Sequence, residues 1–341
     1  KNGQIQKLSK YIRHRFKTKP RGMWLAERVW EPHLTKVLRD NGVDYSLVDD
    51  SHFLSTGLRM EDMCGAYVTE EQGLTSLLLP IRQDLRYSIP FKDPGETLSI
   101  LRQNASPSGH KALVMFDDGE KFGLWPDTQQ HVFEAGWLEQ FLTVLESNKD
   151  WIITSRISDY LNTHVPHGRV YLPTASYSEM SEWTLSAPAQ EAMIELEKHI
   201  PAEDQASAKR FVRGGFWRNF LTKYEESNNL HKKMLRVSSK VHAALSSEAA
   251  QTGTKAQKML DALWSGQCNC AYWHGVFGGL YLPHLRQALY RELLSAESQA
   301  DRLLNDDRIV VTRDDFDRDG REEILLESPE QNLYLAPAQG G

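Results

Sequence analysis

The feature that most constrains the fold is an uninterrupted apolar run at residues 113–116, which reads LVMF and ends directly on acids. Four consecutive apolar residues are typical of a strand that is buried on both faces, as in a parallel sheet or barrel. Asp117, Asp118 and Glu120 crowd around the turn that follows. Because carboxylates this close repel one another when partly desolvated, at least one should have a raised pKa, which suits a general acid. An acidic turn and a cation site remain open alternatives for these three residues.

The same succession of a short strand, an acidic loop and a helix recurs toward the amino terminus. Residues 23–26 form a predicted strand that ends on Glu27, and residues 45–48 form one that ends on Asp49 and Asp50. Three predicted strands therefore end on acids, with helical apolar spacing nearby. This repetition predicts an α/β fold, a parallel barrel whose loops converge on one mouth.

The remaining apolar periodicity predicts the other helices and strands. It also predicts that a mixed region is followed by a helical region and then by strands. Further strands are predicted at 66–68, 76–79 and 151–154, and helices at 4–16, 33–41, 94–103, 131–147 and 158–163. From 187 to 301 the apolar spacing is helical and predicts a bundle, and strands return at 309–312, 324–326 and 333–335. We therefore predict three domains, at residues 1–180, 181–305 and 306–341.

Length, charge and cysteine content narrow the class of protein. A chain of 341 residues exceeds what one hydrophobic core usually serves, which agrees with several domains. The net charge of −6 gives no general reason to bind nucleic acid, and no apolar run is long enough to span a membrane. Cys64, Cys268 and Cys270 cannot form a disulfide framework, which favours a reducing compartment, the cytoplasm. We expect no nucleic-acid or membrane partner, and a homodimer stays open.

An aspartate-rich segment near the end of the chain offers oxygen ligands. Asp315, Asp317 and Asp319 alternate along it and Glu323 follows, a spacing that can wrap a calcium ion. The match to a complete EF-hand loop fails, because Leu326 stands at its twelfth position. A structural calcium site and a solvated acidic turn are therefore both open, and no cofactor is expected for catalysis.

Glu27 and Asp118 form the pair of carboxylates that this chain offers for catalysis. Each follows a predicted parallel strand, so both could point into one cleft. Two carboxylates that face each other across a sugar are the standard equipment of glycoside hydrolysis. Aromatic side chains flank these positions and the later segment CNCAYWHG, and flat rings suit the apolar faces of glucose units.

Three stretches carry a resemblance to a known family. GMWLAERVWEP, MFDDGEKFG and CNCAYWHGVFGGLYLPHLR are similar to the third, fourth and fifth motifs of glycoside hydrolase family 57, the group of α-amylases and 4-α-glucanotransferases that act on α-1,4-glucans. The resemblance implies an incomplete (β/α)7 barrel at 1–180, a helical domain that contributes to the active site at 181–305, and the beginning of a β-sandwich domain at 306–341. It also implies a retaining double displacement.

The resemblance further implies a role for each residue that matches a motif. Glu27 would be the nucleophile, and Asp118 would be the acid and base. The substrate-binding residues would be Trp24, Trp30, Asp117, Glu120, Trp125, Trp273 and His274.

Departures from the family pattern leave two questions open. The first and second motifs are absent and no methionine precedes Lys1, so we interpret the chain as a fragment cut at both ends. Cys270 stands where some members carry Asp, which leaves the balance between hydrolysis and transfer undecided. A glucan-binding protein without turnover is the main alternative. A metal-dependent hydrolase would instead use Asp49, Asp50, His52, Asp117 and Asp118.

Overall fold

The computed structural model describes residues 1–246 and 253–340. This part of the chain divides into two compact units. We call Lys1–Ser181 with Glu195–Arg213 the first unit, and Glu182–Ile194 with the described residues from Gly214 onward the second unit. The predicted division into three domains stays a prediction. No helix in the described ranges is both long and apolar enough to cross a membrane.

Helices dominate both units. The helices, in chain order, are α1 (Asn2–Phe16), α2 (Leu34–Asp40), α3 (Asp50–Leu54), α4 (Gln83–Ser88), α5 (Pro94–Asn104), α6 (Trp137–Ser147), α7 (Ile157–Thr163), α8 (Ser178–Trp183), α9 (Ala187–Lys198), α10 (Gln205–Phe211), α11 (Asn219–Lys223), α12 (Glu225–Ser246), α13 (Thr254–Ser265) and α14 (Pro283–Asn305). The strands are β1 (Gly22–Trp24), β2 (Tyr45–Asp49), β3 (Tyr67–Glu71), β4 (Leu74–Ile81), β5 (Val310–Asp314), β6 (Glu323–Glu327) and β7 (Asn332–Leu335).

A four-stranded sheet organises the first unit, in the order β1-β2-β4-β3. The pairs β1–β2 and β2–β4 are parallel, with Trp24 opposite Leu47 and Leu47 opposite Leu79, whereas β3 runs antiparallel to β4. Leu47 and Val48 are both buried although they point to opposite faces, so β2 is covered on both sides. The carboxyl ends of β1, β2 and β4 therefore lie at the same end of the sheet, which we call the carboxyl-terminal edge.

The predicted strand at residues 113–116 is largely wrong. Of these residues only Val114 pairs, through one parallel bridge to Ile81, and Phe116 is exposed. The reason is that β3 already pairs with this side of β4, from Leu74 to Leu78. Only the last residues of β4 remain free to pair with the segment at 113–116. The single bridge nevertheless places the residues after Val114 at the same sheet edge as the ends of β1, β2 and β4.

Most of the other predicted elements are confirmed, with two exceptions. The predicted strand at 151–154 is irregular, and its Ile153 is 85% exposed. The predicted helix at 131–147 is broken, because Gly136 adopts a left-handed φ of 77° between a π-helical turn, Gln130–Glu134, and α6. Glycine reaches this conformation without strain, which explains the break.

The second unit combines a helical bundle with a small sheet. Helices α12, α13 and α14 bury a common apolar face that includes Leu230, Val237, Leu263 and Leu293. The predicted helical character of 187–301 is confirmed for its described residues. Strands β5, β6 and β7 form an antiparallel sheet in sequence order, as the strand pattern of the tail predicts.

Candidate active site

Glu27 lies on a 3₁₀ turn, Ala26–Arg28, directly after β1. Both Glu27 and Arg28 adopt left-handed backbone conformations, with φ of 55° and 49°. Consecutive left-handed residues other than glycine are strained and persist only where the surroundings fix them, and such residues cluster at functional sites.

Arg28 is the residue that fixes this turn. Its side chain is buried and its Nε lies 3.2 Å from Asp49 Oδ2, at the end of β2. The guanidinium carbon also lies 4.3 Å from the centre of the Tyr177 ring, a distance typical of a cation–π contact. The strained turn is therefore held from two sides by buried groups.

Tyr177 contacts Glu27 as well as Arg28. Its hydroxyl donates a hydrogen bond to Glu27 Oε2 at 3.1 Å. Burial raises the pKa of Glu27, the Tyr177 bond and the Arg28 charge oppose it, and the Asp118 carboxylate raises it further. The charge of Asp118 therefore forms part of the electrostatic surroundings of Glu27.

Asp118 lies on the turn after Val114, just before the 3₁₀ turn Gly119–Lys121. Burial raises its pKa first, and the negative charges of Asp117 and Glu120 add to that effect, while Arg28 and Arg86 oppose it. The prediction that one acid of this crowded cluster has a raised pKa is confirmed. A carboxyl that keeps its proton is suited to work as a general acid.

A chain of alternating charges connects the two turns. Arg86, on α4, reaches Asp49 Oδ2 at 3.5 Å and Asp117 Oδ2 at 3.1 Å, and Lys121 lies 2.6 Å from the same Asp117 oxygen. Asp49 in turn pairs with Arg28. We call Arg28, Asp49, Arg86, Asp117 and Lys121 the ion chain. Its members are buried or nearly so, and it runs from the neighbour of Glu27 to the neighbour of Asp118.

Aromatic rings belong to the segments that carry the two carboxylates. The ring of Trp24 stacks on Phe116, with centroids 4.8 Å apart, and Trp125 stacks on Phe91 at 6.0 Å. Trp24 and Trp125 are partly exposed, as is required of a ring that contacts substrate, and Glu120 is exposed beside Asp118.

Two of the predicted substrate-binding residues have buried side chains. Trp30 is only 1% exposed, because its backbone pairs with Ala175 and turns the ring into the core beside Phe53. The Asp117 side chain is 3% exposed, and both of its oxygens accept from groups of the protein itself.

The acids proposed for a metal-dependent hydrolase are engaged elsewhere. Asp49 and Asp117 pair with guanidinium and ammonium groups of the ion chain. Asp50 accepts from the Gln83 backbone N–H at 2.9 Å, and burial raises its pKa to about 7. His52 is fully buried, which lowers its pKa to about 4. The arrangement therefore does not present these residues as a shared set of metal ligands.

Sequence reasoning missed Tyr177 and Arg86. Arg86 lies in the helix that follows β4, at the same sheet edge as the acids, so the rule that sites follow parallel strands could have included it. Tyr177 lies outside any strand, in a segment anchored by the Trp30–Ala175 pairing. No sequence pattern marks it.

Trp273 and His274 belong to the second unit, where they lie in an aromatic cluster. The Trp273 ring is 6.4 Å from Trp183, and the His274 ring is 5.2 Å from both Phe220 and Tyr281. Burial lowers the pKa of His274, which favours the neutral imidazole. Their predicted part in substrate binding stays a prediction.

The acidic tail also lies in the second unit. Ligand atoms of Asp315, Asp317 and Glu323 lie within 4.8 Å of one another, as a calcium site would require. Asp319 is not part of this group, and its Oδ1 instead accepts from the Arg321 backbone N–H at 2.8 Å. The predicted ligand set is therefore reduced to three residues.

Comparison with known proteins gives two family matches. The sequence-family model described as Glycosyl hydrolase family 57 matches residues 1–173. A second model, described as Alpha-amylase/4-alpha-glucanotransferase, middle domain, matches residues 215–300. The first match contains Glu27, Asp118 and the ion chain, and the second contains Trp273 and His274.

Individual relatives agree with these matches. The chain is 49% identical to "Alpha-amylase 1" of Dictyoglomus thermophilum over 341 residues, covering 99% of this chain and 48% of the relative. It is 41% identical to the "4-alpha-glucanotransferase" of Thermococcus litoralis over 339 residues, covering 99% of this chain and 48% of the relative. The crystal structure of that second protein superposes with a TM-score of 0.84, covering 96% of this chain and 48% of the other. The α/β fold is shared, and the chain spans about half the length of the relatives it matches.

Proposed function

Because the chain belongs to glycosyl hydrolase family 57, we propose that it carries the catalytic pair of a retaining enzyme acting on α-1,4-glucans. The enzyme cleaves the glucosidic bond by double displacement and passes the glucan to another glucan, as a 4-α-glucanotransferase, or to water, as an α-amylase. The observation that carries this proposal is the stacking of Trp24 on Phe116, with centroids 4.8 Å apart, because Glu27 and Asp118 lie on the turns that directly follow these two residues.

The two carboxylates have different neighbours, although burial raises the pKa of both. Glu27 is the nucleophile: Tyr177 and Arg28 oppose the effect of burial on its pKa, and its ionised form attacks the anomeric carbon to give a β-glucosyl ester. Asp118 is the acid and base: the charges of Asp117 and Glu120 add to the effect of burial on its pKa, while Arg28 and Arg86 oppose it, and its protonated form protonates the departing glucosidic oxygen. In the second step Asp118 takes a proton from water or a sugar hydroxyl, which attacks the ester. A retaining enzyme requires the carboxyl groups to be about 5 to 5.5 Å apart.

The aromatic rings supply the binding surface for glucose units. Trp24 and Trp125 are placed beside the catalytic turns and remain partly exposed, and Glu120 offers a hydrogen-bond acceptor there. Trp273 and His274 are further glucan-binding residues in this proposal. The neutral imidazole favoured at His274 can both donate and accept hydrogen bonds with sugar hydroxyls.

The proposal extends to the architecture and setting of the complete protein. The parallel strands β1, β2 and β4 belong to an incomplete (β/α)7 barrel, and strands β5 to β7 begin a β-sandwich domain. The free thiols of Cys64, Cys268 and Cys270 support a cytoplasmic location, and a homodimer is testable by light scattering.

Product analysis on maltoheptaose tests the proposed function in the complete protein. Products longer than the substrate identify a glucanotransferase, because only transfer to a sugar lengthens a chain. Shorter sugars alone identify an α-amylase. Retained affinity for starch without any product contradicts the proposal and favours a glucan-binding protein.

We also propose that Asp315, Asp317 and Glu323 hold a calcium ion. Asp315 Oδ1 is enclosed and has no hydrogen-bond partner among the described residues, and hard carboxylate oxygens suit this cation. Each of the three carboxylates also accepts one backbone N–H, which fixes its orientation in the turn.

Calcium should therefore raise the melting temperature of the wild-type protein. At a calcium concentration about 100 times the dissociation constant, binding contributes roughly 2.7 kcal/mol. Differential scanning fluorimetry with calcium and with a chelator measures the shift. Asp315→Asn should abolish it, and Asp319→Asn is the matched control that should keep it. Equal melting temperatures with calcium and chelator would contradict the site.

A further inference from the structure

Asp117 is a completely engaged carboxylate beside the proposed acid and base. Its Oδ2 accepts from Lys121 Nζ at 2.6 Å and from Arg86 Nε at 3.1 Å. Its Oδ1 accepts from the backbone N–H of Asp118 at 2.9 Å. Both oxygens are thus engaged by groups of the protein, and with a side chain only 3% exposed Asp117 is poorly accessible to a sugar hydroxyl.

The partners of Asp117 connect it to both catalytic turns. Lys121 ends the 3₁₀ turn that follows Asp118, so the Lys121–Asp117 pair closes this turn on itself. Arg86 also reaches Asp49, and Asp49 pairs with Arg28 beside Glu27. A displacement of Asp117 would therefore move the backbone of Asp118 directly and disturb the anchor of the Glu27 turn through two ion pairs.

Asp117 also supplies charge. Although its burial opposes ionisation, Lys121 and Arg86 hold the pKa of Asp117 below its ordinary value, so it is anionic at neutral pH. It is the residue directly before Asp118, and its charge favours the protonated form of that neighbour. The charged and titratable groups that act on Asp118 are Glu27, Arg28, Arg86, Asp117, Glu120 and Lys121.

We propose that Asp117 is a positioning residue that acts through Asp118, by anchoring its backbone N–H and by keeping a fixed negative charge beside its carboxyl group. This inference rests on the proposed function of Asp118 as acid and base. It replaces the sequence-based expectation that Asp117 binds substrate. Asp117 prepares Asp118 for proton transfer without contacting the sugar.

The test is the substitution Asp117→Asn, which removes the charge and keeps the shape and the acceptor for the Asp118 N–H. The alkaline limb of the pH profile of kcat/KM for maltoheptaose reports the acid of the free enzyme. Loss of the neighbouring anion should move this limb to lower pH by roughly half a unit to one unit. The KM at the pH optimum should change by less than about threefold, because no sugar contact is lost.

A second substrate separates proton donation from the rest of catalysis. Fluoride leaves α-maltosyl fluoride without needing a proton, so the first step then depends on Glu27 and hardly on Asp118. Asp117→Asn should therefore turn over this substrate within about threefold of wild type, while it loses activity on maltoheptaose above the displaced limb.

Asp49→Asn is the matched control, since it weakens the same ion chain at another buried carboxylate that is not adjacent to Asp118. Its activity can fall, but its alkaline limb should stay at the wild-type position. If unpaired cations destabilise Asp117→Asn, the double variant Asp117→Asn with Lys121→Met removes one of them. Because Lys121 also acts on Asp118, its reference is Lys121→Met alone, and the alkaline limb of the double variant should lie below that of this reference.

Three results would overturn the inference. A raised KM with an unmoved alkaline limb would mean that Asp117 contacts sugar. Equal losses on both substrates with an unmoved limb would mean that it only supports the fold. Wild-type protein without turnover of either substrate would refute the proposed function itself, and the role of Asp117 would be refuted with it.

Discussion

Glu27→Gln should lose roughly 10⁴-fold or more of the wild-type turnover of maltoheptaose and still fold. The amide cannot form the glucosyl ester, and no other described carboxylate shares its turn at the end of β1. Its Oε1 can still accept the Tyr177 hydrogen bond, so the left-handed turn should persist. Asp118→Asn should lose roughly 10²- to 10⁴-fold, because it removes only proton transfer.

The roles of the two residues can be separated with azide and α-maltosyl fluoride. In Asp118→Ala the glucosyl ester on Glu27 still forms, and azide attacks its anomeric carbon as the ester bond breaks, giving the α-azide. In Glu27→Ala azide attacks the donor directly as fluoride leaves, giving the β-azide. NMR of the products distinguishes the two anomers.

The control is Glu96→Gln, which removes an exposed carboxylate that pairs with Lys92 on the surface and should leave turnover unchanged. The same anomer from both variants, or full activity in Glu27→Gln or Asp118→Asn, would contradict the assignment of these carboxylates.

The convergence of Glu27 and Asp118 could be predicted because it depends on a local rule. Parallel segments place the residues after them at one edge, whatever the rest of the sheet does. Even the failed strand at 113–116 kept this property, since the single bridge between Val114 and Ile81 was enough to direct the chain. What the apolar run could not reveal was the competition from β3 for the same edge of β4.

Residues whose roles depend on distant contacts could not be predicted. Trp30 and Trp24 are both tryptophans beside Glu27, yet the Ala175 pairing turns one inward and leaves the other partly exposed. Tyr177 reaches Glu27 across 150 positions of sequence. The Asp117 carboxylate could be recognised as an acid in a cluster, but its two buried cations come from α4 and from the following turn. Sequence patterns identify acids at strand ends, but they do not identify the distant residues that form ion pairs or hydrogen bonds with those acids.

The second unit offers a test of stability that is independent of catalysis. Glu297, on α14, is 1% exposed and accepts from Lys233 at 2.6 Å and from Lys240 at 2.9 Å, both on α12. Asn332 of β7 donates to its Oε2 at 2.7 Å. The carboxylate therefore compensates two largely buried ammonium groups. It does so where α12 and α14, which we call the helical pair, meet the sheet of β5, β6 and β7.

Glu297→Gln should lower the free energy of unfolding by about 3 to 5 kcal/mol, because it takes the paired carboxylate from the buried Lys233 ammonium, whereas Lys240 keeps Asp301 and Glu327. Urea unfolding followed by circular dichroism measures the change. Glu330→Gln is the matched control: Glu330 pairs with Arg302 but is 78% exposed, so its loss should change stability by less than about 1 kcal/mol.

Adding Lys233→Met to Glu297→Gln should restore part of the lost stability, because it removes the cation that loses its paired carboxylate in the single variant. A single-variant loss as small as that of the exposed control would mean that water reaches these charges and that the helical pair and the sheet depend on their apolar contacts alone. A large loss that the second substitution relieves would identify the uncompensated charge, and not the lost packing of one side chain, as its cause.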